Sequence, residues 1–62
     1  MSKDIADQLR KVIRDSGLSA NQLAKVTGVD QTTISRFLRG EDMTIHRAAK
    51  IAKYLGVELR EK

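Results

Sequence analysis

Apolar residues recur along this chain at intervals of three and four rather than two, and the spacing divides it into four helical stretches. Over 2–15, Ile5, Leu9, Val12 and Ile13 return at helical period while Lys3, Asp4, Asp7, Arg10, Lys11 and Arg14 fall largely on the other side. A first helix with one buried face is predicted there. Ser2 or Asp4 can accept from the free amides at its start, Asp7 stands four residues before Lys11 in the favourable order for an exposed ion pair, and Ser16-Gly17 ends it. Ser19 followed three residues later by Gln22 is a capping-box pattern, with Leu18 placed to pack on Leu23 as a hydrophobic staple, so a second helix starts at Ser19. Leu23, Ala24 and Val26 supply its apolar contacts until Thr27-Gly28 breaks it, Gly28 taking the positive φ that a tight inter-helix turn requires.

The same device repeats at once. Asp30 can cap the amides of Thr32 or Thr33 while Val29 and Ile34 form a second staple, and the third helix buries Ile34, Phe37 and Leu38 before stopping at Gly40. After the acidic loop Glu41-Asp42-Met43, Thr44 caps a fourth helix whose Ile45, Ala48, Ile51, Ala52 and Leu55 make an apolar stripe ending at Gly56. The segment 57–62 alternates apolar and charged residues at first, which suits an extended tail. Val57 and Leu59 are expected to fold back on the first and fourth helices, with a dimer contact involving the tail and the end of the fourth helix. Strand pairing with a symmetry mate is the alternative.

At 62 residues the chain makes one domain, 1–62, with a modest core that oligomerisation or ligand binding would support. It has no cysteine, which removes disulfides and thiolate metal sites, and its apolar runs of two or three residues exclude a membrane span and a signal peptide's apolar segment. A soluble, cytoplasmic, all-α bundle is the expectation. Twelve Lys and Arg against eight Asp and Glu give a formal charge of +4, which small soluble domains also carry merely to stay dispersed, so distribution matters more than the sum.

That distribution is informative on the third helix. Ile34, Phe37 and Leu38 define its inward direction, so Thr32, Ser35, Arg36 and Arg39 point outward, Gln31 projects from the leading end, and no acid lies on the outward arc. Two short capped helices joined by a glycine turn, the second presenting a polar cationic side, form a helix-turn-helix whose second helix suits the major groove of DNA. Arg36 could bond bidentately to guanine and Gln31 to adenine, Thr32 could touch a thymine methyl or accept a base-edge bond, and Ser35 is the fourth candidate base reader, its short hydroxyl also in reach of the backbone. Candidate phosphate contacts ring this helix: Ser19, Asn21, Gln22, Thr33, Arg39 and Arg47, with Asn21 and Arg39 foremost.

Gln22-Leu23-Ala24, Gly28-Val29, Gln31, Thr33-Ile34-Ser35 and Gly40 together resemble the Cro/repressor family of bacterial and phage DNA-binding proteins (the phage lambda repressor-like, XRE group), over most of the chain. The resemblance implies a compact four- to five-helix bundle with the helix-turn-helix on helices 2 and 3. It also implies a small transcriptional repressor, a homodimer on a pseudo-palindromic operator, and a bacterial or phage origin with a place on the nucleoid. Relatives often carry a glutamine at the position of Ala20, which helps a phosphate contact and orients the first recognition residue; Ala20 cannot, leaving Gln22 to hold Gln31. They also often place an arginine and glutamate pair where Ile13 and Leu38 stand, so an apolar contact replaces it here, which is neutral or favourable for stability.

Other residues invite blander readings. His46 stands without cysteine or clustered carboxylates nearby, which argues for a solvated residue rather than a metal ligand or catalyst. Tyr54 is expected half buried with its hydroxyl wet, and Lys50 and Lys53 fit long-range attraction to DNA and a plain solvated face equally well. No nucleophile, base and orienting group are identifiable, so no enzyme, cofactor or small-molecule effector is expected. The competing function is a protein-interaction module on the same fold, antitoxin-like or adaptor in kind, which a steep salt dependence of DNA affinity would exclude.

Overall fold

The structure is a computed structural model that describes residues 2–59 of the chain. Its elements run α1 (Lys3–Ser16), α2 (Ala20–Thr27), α3 (Gln31–Leu38) and α4 (Ile45–Leu55), with no strand among the described residues. Each helix begins on the side chain that the pattern nominates. Ser2 accepts from the Ile5 amide at 3.2 Å, Asp30 from Thr33 at 3.3 Å and Thr44 from Arg47 at 3.4 Å. At α2 the capping box is reciprocal: the Gln22 amide donates to the Ser19 hydroxyl at 3.2 Å, and the Ser19 amide to the Gln22 side-chain oxygen at 2.9 Å. Orphan donors at helix starts are thereby satisfied locally, which fixes where these short helices begin.

The ends are equally defined. At α3 the Gly40 amide donates to Phe37 and the Glu41 amide to Arg36, the paired bonds of a Schellman motif, and α4 ends the same way through Gly56 to Lys53 and Val57 to Ala52. Between α2 and α3 the chain turns at Gly28, φ 79°, whose amide reaches Ala24 at 2.9 Å. The turn is further braced by the Thr27 hydroxyl, which donates to the Leu23 carbonyl and accepts from the Val29 amide.

One apolar core gathers Ala6, Leu9 and Ile13 of α1, Leu23 of α2, Val29, Ile34 and Phe37 around α3, Met43 of the following loop, and Ala48, Ile51 and Ala52 of α4. Leu18 packs at its edge, so all four residues of the expected staples join one core, and no polar or charged residue is buried among the described residues. α2 packs closely on α3 and α4, and α1 on α4. The alanines Ala48 and Ala52 let α4 approach its neighbours, as close packing of helices requires.

Several expectations from the pattern need correction. Val26 is 48% and Ile45 57% exposed, so neither supplies the core contact that its spacing suggested; Ala6 and Met43 do instead. Asp7 pairs with Arg10 at 3.1 Å rather than with Lys11. Val57 and Leu59 pack against the core as the fold-back reading has it, while positions 60–62 of the tail lie outside the described residues.

Candidate nucleic-acid interface

α3 is eight residues long, too short to hold its shape alone, so its pose is imposed by what grips it. Its buried side is anchored by Ile34 and Phe37, both fully enclosed, and that anchoring decides which residues remain outside. Gln31, Thr32, Arg36 and Arg39 are exposed, whereas Thr33, Ser35 and Leu38 are half buried. Of the four candidate base readers, Ser35 is thus the one set back towards the body of the domain. Among the described residues no hydrogen bond engages the side chains of Gln31, Thr32, Arg36 or Arg39, which leaves their donors available.

Gln22 does not hold Gln31. Its amide oxygen is committed to the Ser19 backbone, and no bond to Gln31 forms among the described residues. Ala20, half buried against the core, gives Gln31 no polar support either. Ser19 and Thr33 are likewise drawn into caps, the first through its hydroxyl and the second through its amide, so what Thr33 retains for a partner is its hydroxyl. Asn21 stands exposed at the start of α2.

Sequence position separates Arg36 from Arg47, but the fold brings them to the same cleft. A hollow of about 480 Å³ is lined by Thr33 and Arg36 of α3, the 41–44 loop and Arg47 of α4. A second hollow, about 390 Å³, lies between the Gly28 turn and the start of α4, where Thr44, His46, Arg47 and Lys50 meet. Arg47 stands between the two, with one guanidinium nitrogen 3.5 Å from the Thr44 hydroxyl. The outward arc of α3 carries no acid, yet Glu41 and Asp42 share the first hollow with Arg36 and Arg47. Helical periodicity sees one helix at a time and could not bring a following loop alongside it.

The residue that sequence reasoning assigned wrongly is Arg10. Read as part of a solvated face, it is turned inward: its Nε donates to the Phe37 carbonyl at 2.7 Å, a terminal nitrogen donates to Glu41 at 2.9 Å, and its guanidinium lies 4.5 Å from the Phe37 ring centroid. Arg14 adds a bond to the Leu38 carbonyl at 3.2 Å. A signal for this was present. At about 100° per residue, Arg10 lies roughly 70° from the centre of the Ala6, Leu9 and Ile13 stripe, as near as Ile5 on the other flank. Where an arginine and glutamate pair would bridge the first and third helices, Ile13 is buried and Leu38 half buried, and the polar link has moved to Arg10 and Arg14.

No group of three or more His, Cys, Asp or Glu able to hold a metal is assembled among the described residues, and His46 is exposed. No helix among them is long and apolar enough to cross a membrane.

Set beside known proteins, residues 8–62 match the model of a family described as helix-turn-helix. A protein of Archaeoglobus fulgidus, carried under the provisional name of HTH-type transcriptional regulatory protein, is 33% identical over 51 residues. That alignment takes in 82% of this chain but only 16% of the relative, so the chain spans a small part of the length of the protein it matches. No solved structure matches it.

Proposed function

We propose, from the premise that the chain belongs to the helix-turn-helix family, that it binds double-stranded DNA sequence-specifically and regulates transcription, entering the major groove with α3. The observation that carries this reading is the outer face of α3: Gln31, Thr32, Arg36 and Arg39 exposed with their polar groups unengaged among the described residues, on a helix gripped from behind. A groove about 12 Å wide admits such a helix, and side chains of these types bond to base edges there. Arg36 reads guanine, Gln31 adenine and Thr32 a thymine methyl, while Ser35 contributes from its recessed position. Ser19, Asn21, Gln22, Thr33, Arg39 and Arg47 hold phosphates on either side.

The span 1–62 serves as one DNA-binding domain, acting in the cytoplasm of a bacterium or for a phage, as a repressor that occludes its site. Two copies on a pseudo-palindromic operator would present their third helices about 34 Å apart, within reach of side-by-side bodies, each 30 × 22 × 20 Å. The face best suited to that pairing is the apolar hollow of about 300 Å³ formed by Ile45, Ala49, Ala52, Lys53, Val57 and Leu59. It includes the exposed Ile45 and lies at the start of the tail.

Selection of random duplexes bound by the purified protein tests the whole reading. A two-fold symmetric consensus, bound with an affinity that falls steeply as salt rises, is the expected result. Featureless enrichment, or association that does not depend on salt, would overturn it in favour of a protein-interaction module.

A further inference from the structure

We propose that Arg10 is a positioning residue for base reading: from α1 it fixes the far end of α3 and the loop behind it, and so sets the angle at which the helix meets a groove. The proposal rests on the DNA-reading assignment of α3 above.

Three carbonyls receive the two α1 arginines. Phe37 and Leu38 lie in the last turn of α3, and Glu41 lies in the loop after it. Helix ends leave their last carbonyls without helical partners and carry partial negative charge, so cations are favoured there. The Phe37 carbonyl already accepts from the Gly40 amide at 3.1 Å, and Arg10 occupies its second lone pair. Below the guanidinium lies the ring of Phe37, which is wholly buried, so the same side chain is held from two directions. Asp7 completes the fixation at 3.1 Å, leaving the Arg10 side chain 13% exposed.

Close helix packing on α3 comes from α2, and α1 is not among the helices packed tightly against it. The two helices share the apolar core, and the long arginines add a polar link between them at the end of α3. Glu41, the second carbonyl that Arg10 holds, also lines the hollow containing Arg36. One guanidinium thus sets both the helix that carries the candidate readers and the loop that borders Arg36. Such a fork-shaped contact in several directions belongs to arginine; a lysine ammonium delivers the same charge as a single point.

That difference separates positioning from attraction. Arg10→Lys keeps the net charge, and Arg10→Met keeps the stem against Phe37 without the donors. Affinity is measured for the selected consensus duplex and for a scrambled duplex of equal length, across a salt series, at temperatures where thermal circular dichroism shows each variant folded. Both variants should lower the ratio of consensus to scrambled affinity about tenfold, the order that one misaligned bidentate base contact carries. The salt slope of Arg10→Lys should equal that of wild type. Asp7→Ala removes the exposed acceptor of Arg10 without touching the core and should shift the ratio the same way by less; it decides the matter should both Arg10 variants fail to fold. A wild-type ratio in the folded variants, or equal weakening on both duplexes, overturns the proposal. Should the wild-type protein prefer no duplex, the DNA reading fails instead, and backbone NMR relaxation over residues 39–41 still judges the clamp, since unaltered order in Arg10→Lys would refute it.

Discussion

Replacing Gly28 by alanine isolates the turn that joins the two helices of the helix-turn-helix. Gly28 sits at φ 79° and ψ 4°, and a Cβ built there meets nothing within 4 Å, so crowding contributes no cost. What remains is the left-handed backbone, which costs an L residue about 1–2 kcal/mol. Alanine also lowers the entropy of the unfolded chain, which returns about 0.4–1 kcal/mol. The difference is a destabilisation of about 1 kcal/mol, which for a domain of this size lowers the melting temperature by about 4–8 °C. Thermal and urea denaturation followed by circular dichroism measure it. Gly28→Asn supplies the control, because asparagine is larger than alanine yet tolerates the left-handed region better. Backbone strain therefore ranks the asparagine variant above the alanine variant, whereas crowding ranks it below. An alanine variant that melts with wild type, or an asparagine variant less stable than alanine, would refute the reasoning.

Arg36→Ala should weaken binding to the selected duplex by about 1–3 kcal/mol and relax preference at one base pair, read by fluorescence anisotropy on single-position variants of the site; unchanged affinity and preference would remove it from the readers. Ser19→Ala deletes the acceptor of the Gln22 amide and should cost about 1 kcal/mol in urea denaturation. Unaltered stability would mean that the return bond from Ser19 to Gln22 sustains the cap alone. Ile45→Asp alters a residue 57% exposed, so monomer stability should stay within about 0.5 kcal/mol. Sedimentation should then show weakened self-association, and an undiminished dimer would place the interface elsewhere.

The helices were legible because their limits are local chemistry. Ser19 with Gln22, Asp30 with Thr33 and Thr44 with Arg47 act within three residues of sequence, and each cap forms where the spacing places it. Inward faces were legible to the extent that a stripe has a centre, hence Leu9, Ile34, Phe37 and Ile51, all fully buried. At stripe edges the pattern fails, because neighbours rather than period decide. Ile45 lies at the first position of α4, beyond the reach of the core, while Met43 enters it from a loop that has no period to read. The candidate interface divides likewise. Exposure of Gln31, Thr32 and Arg36 follows from the inward direction of α3, but the meeting of Arg36 with Arg47 and the acidic loop depends on tertiary placement. Arg10 was misread because charge was taken to mean solvent, although a long side chain at a stripe edge can lay its stem on apolar surface and carry its head to a carbonyl.

Holding a short helix at both ends is a physical requirement for selective reading. An eight-residue segment gains too few internal hydrogen bonds to offset its ordering entropy, so a free α3 would sample many poses and meet bases with donors unaligned. Asp30 and the Val29 and Ile34 contact fix its leading end, where Gln31 and Thr32 stand. The Schellman bonds of Gly40 and Glu41, with Arg10 and Arg14 behind them, fix the trailing end near Arg36 and Arg39. On the proposed DNA reading, ordering cost is thus met on folding rather than on binding, which leaves side chains for a duplex to immobilise. The grip at the leading end uses groups on α3 and its own cap, whereas the trailing end borrows from α1. Substitution in α1 should therefore alter reading at the Arg36 end of a half-site more than at the Gln31 end, an asymmetry that position-by-position affinities of Arg10→Lys would reveal and a uniform loss across the half-site would contradict.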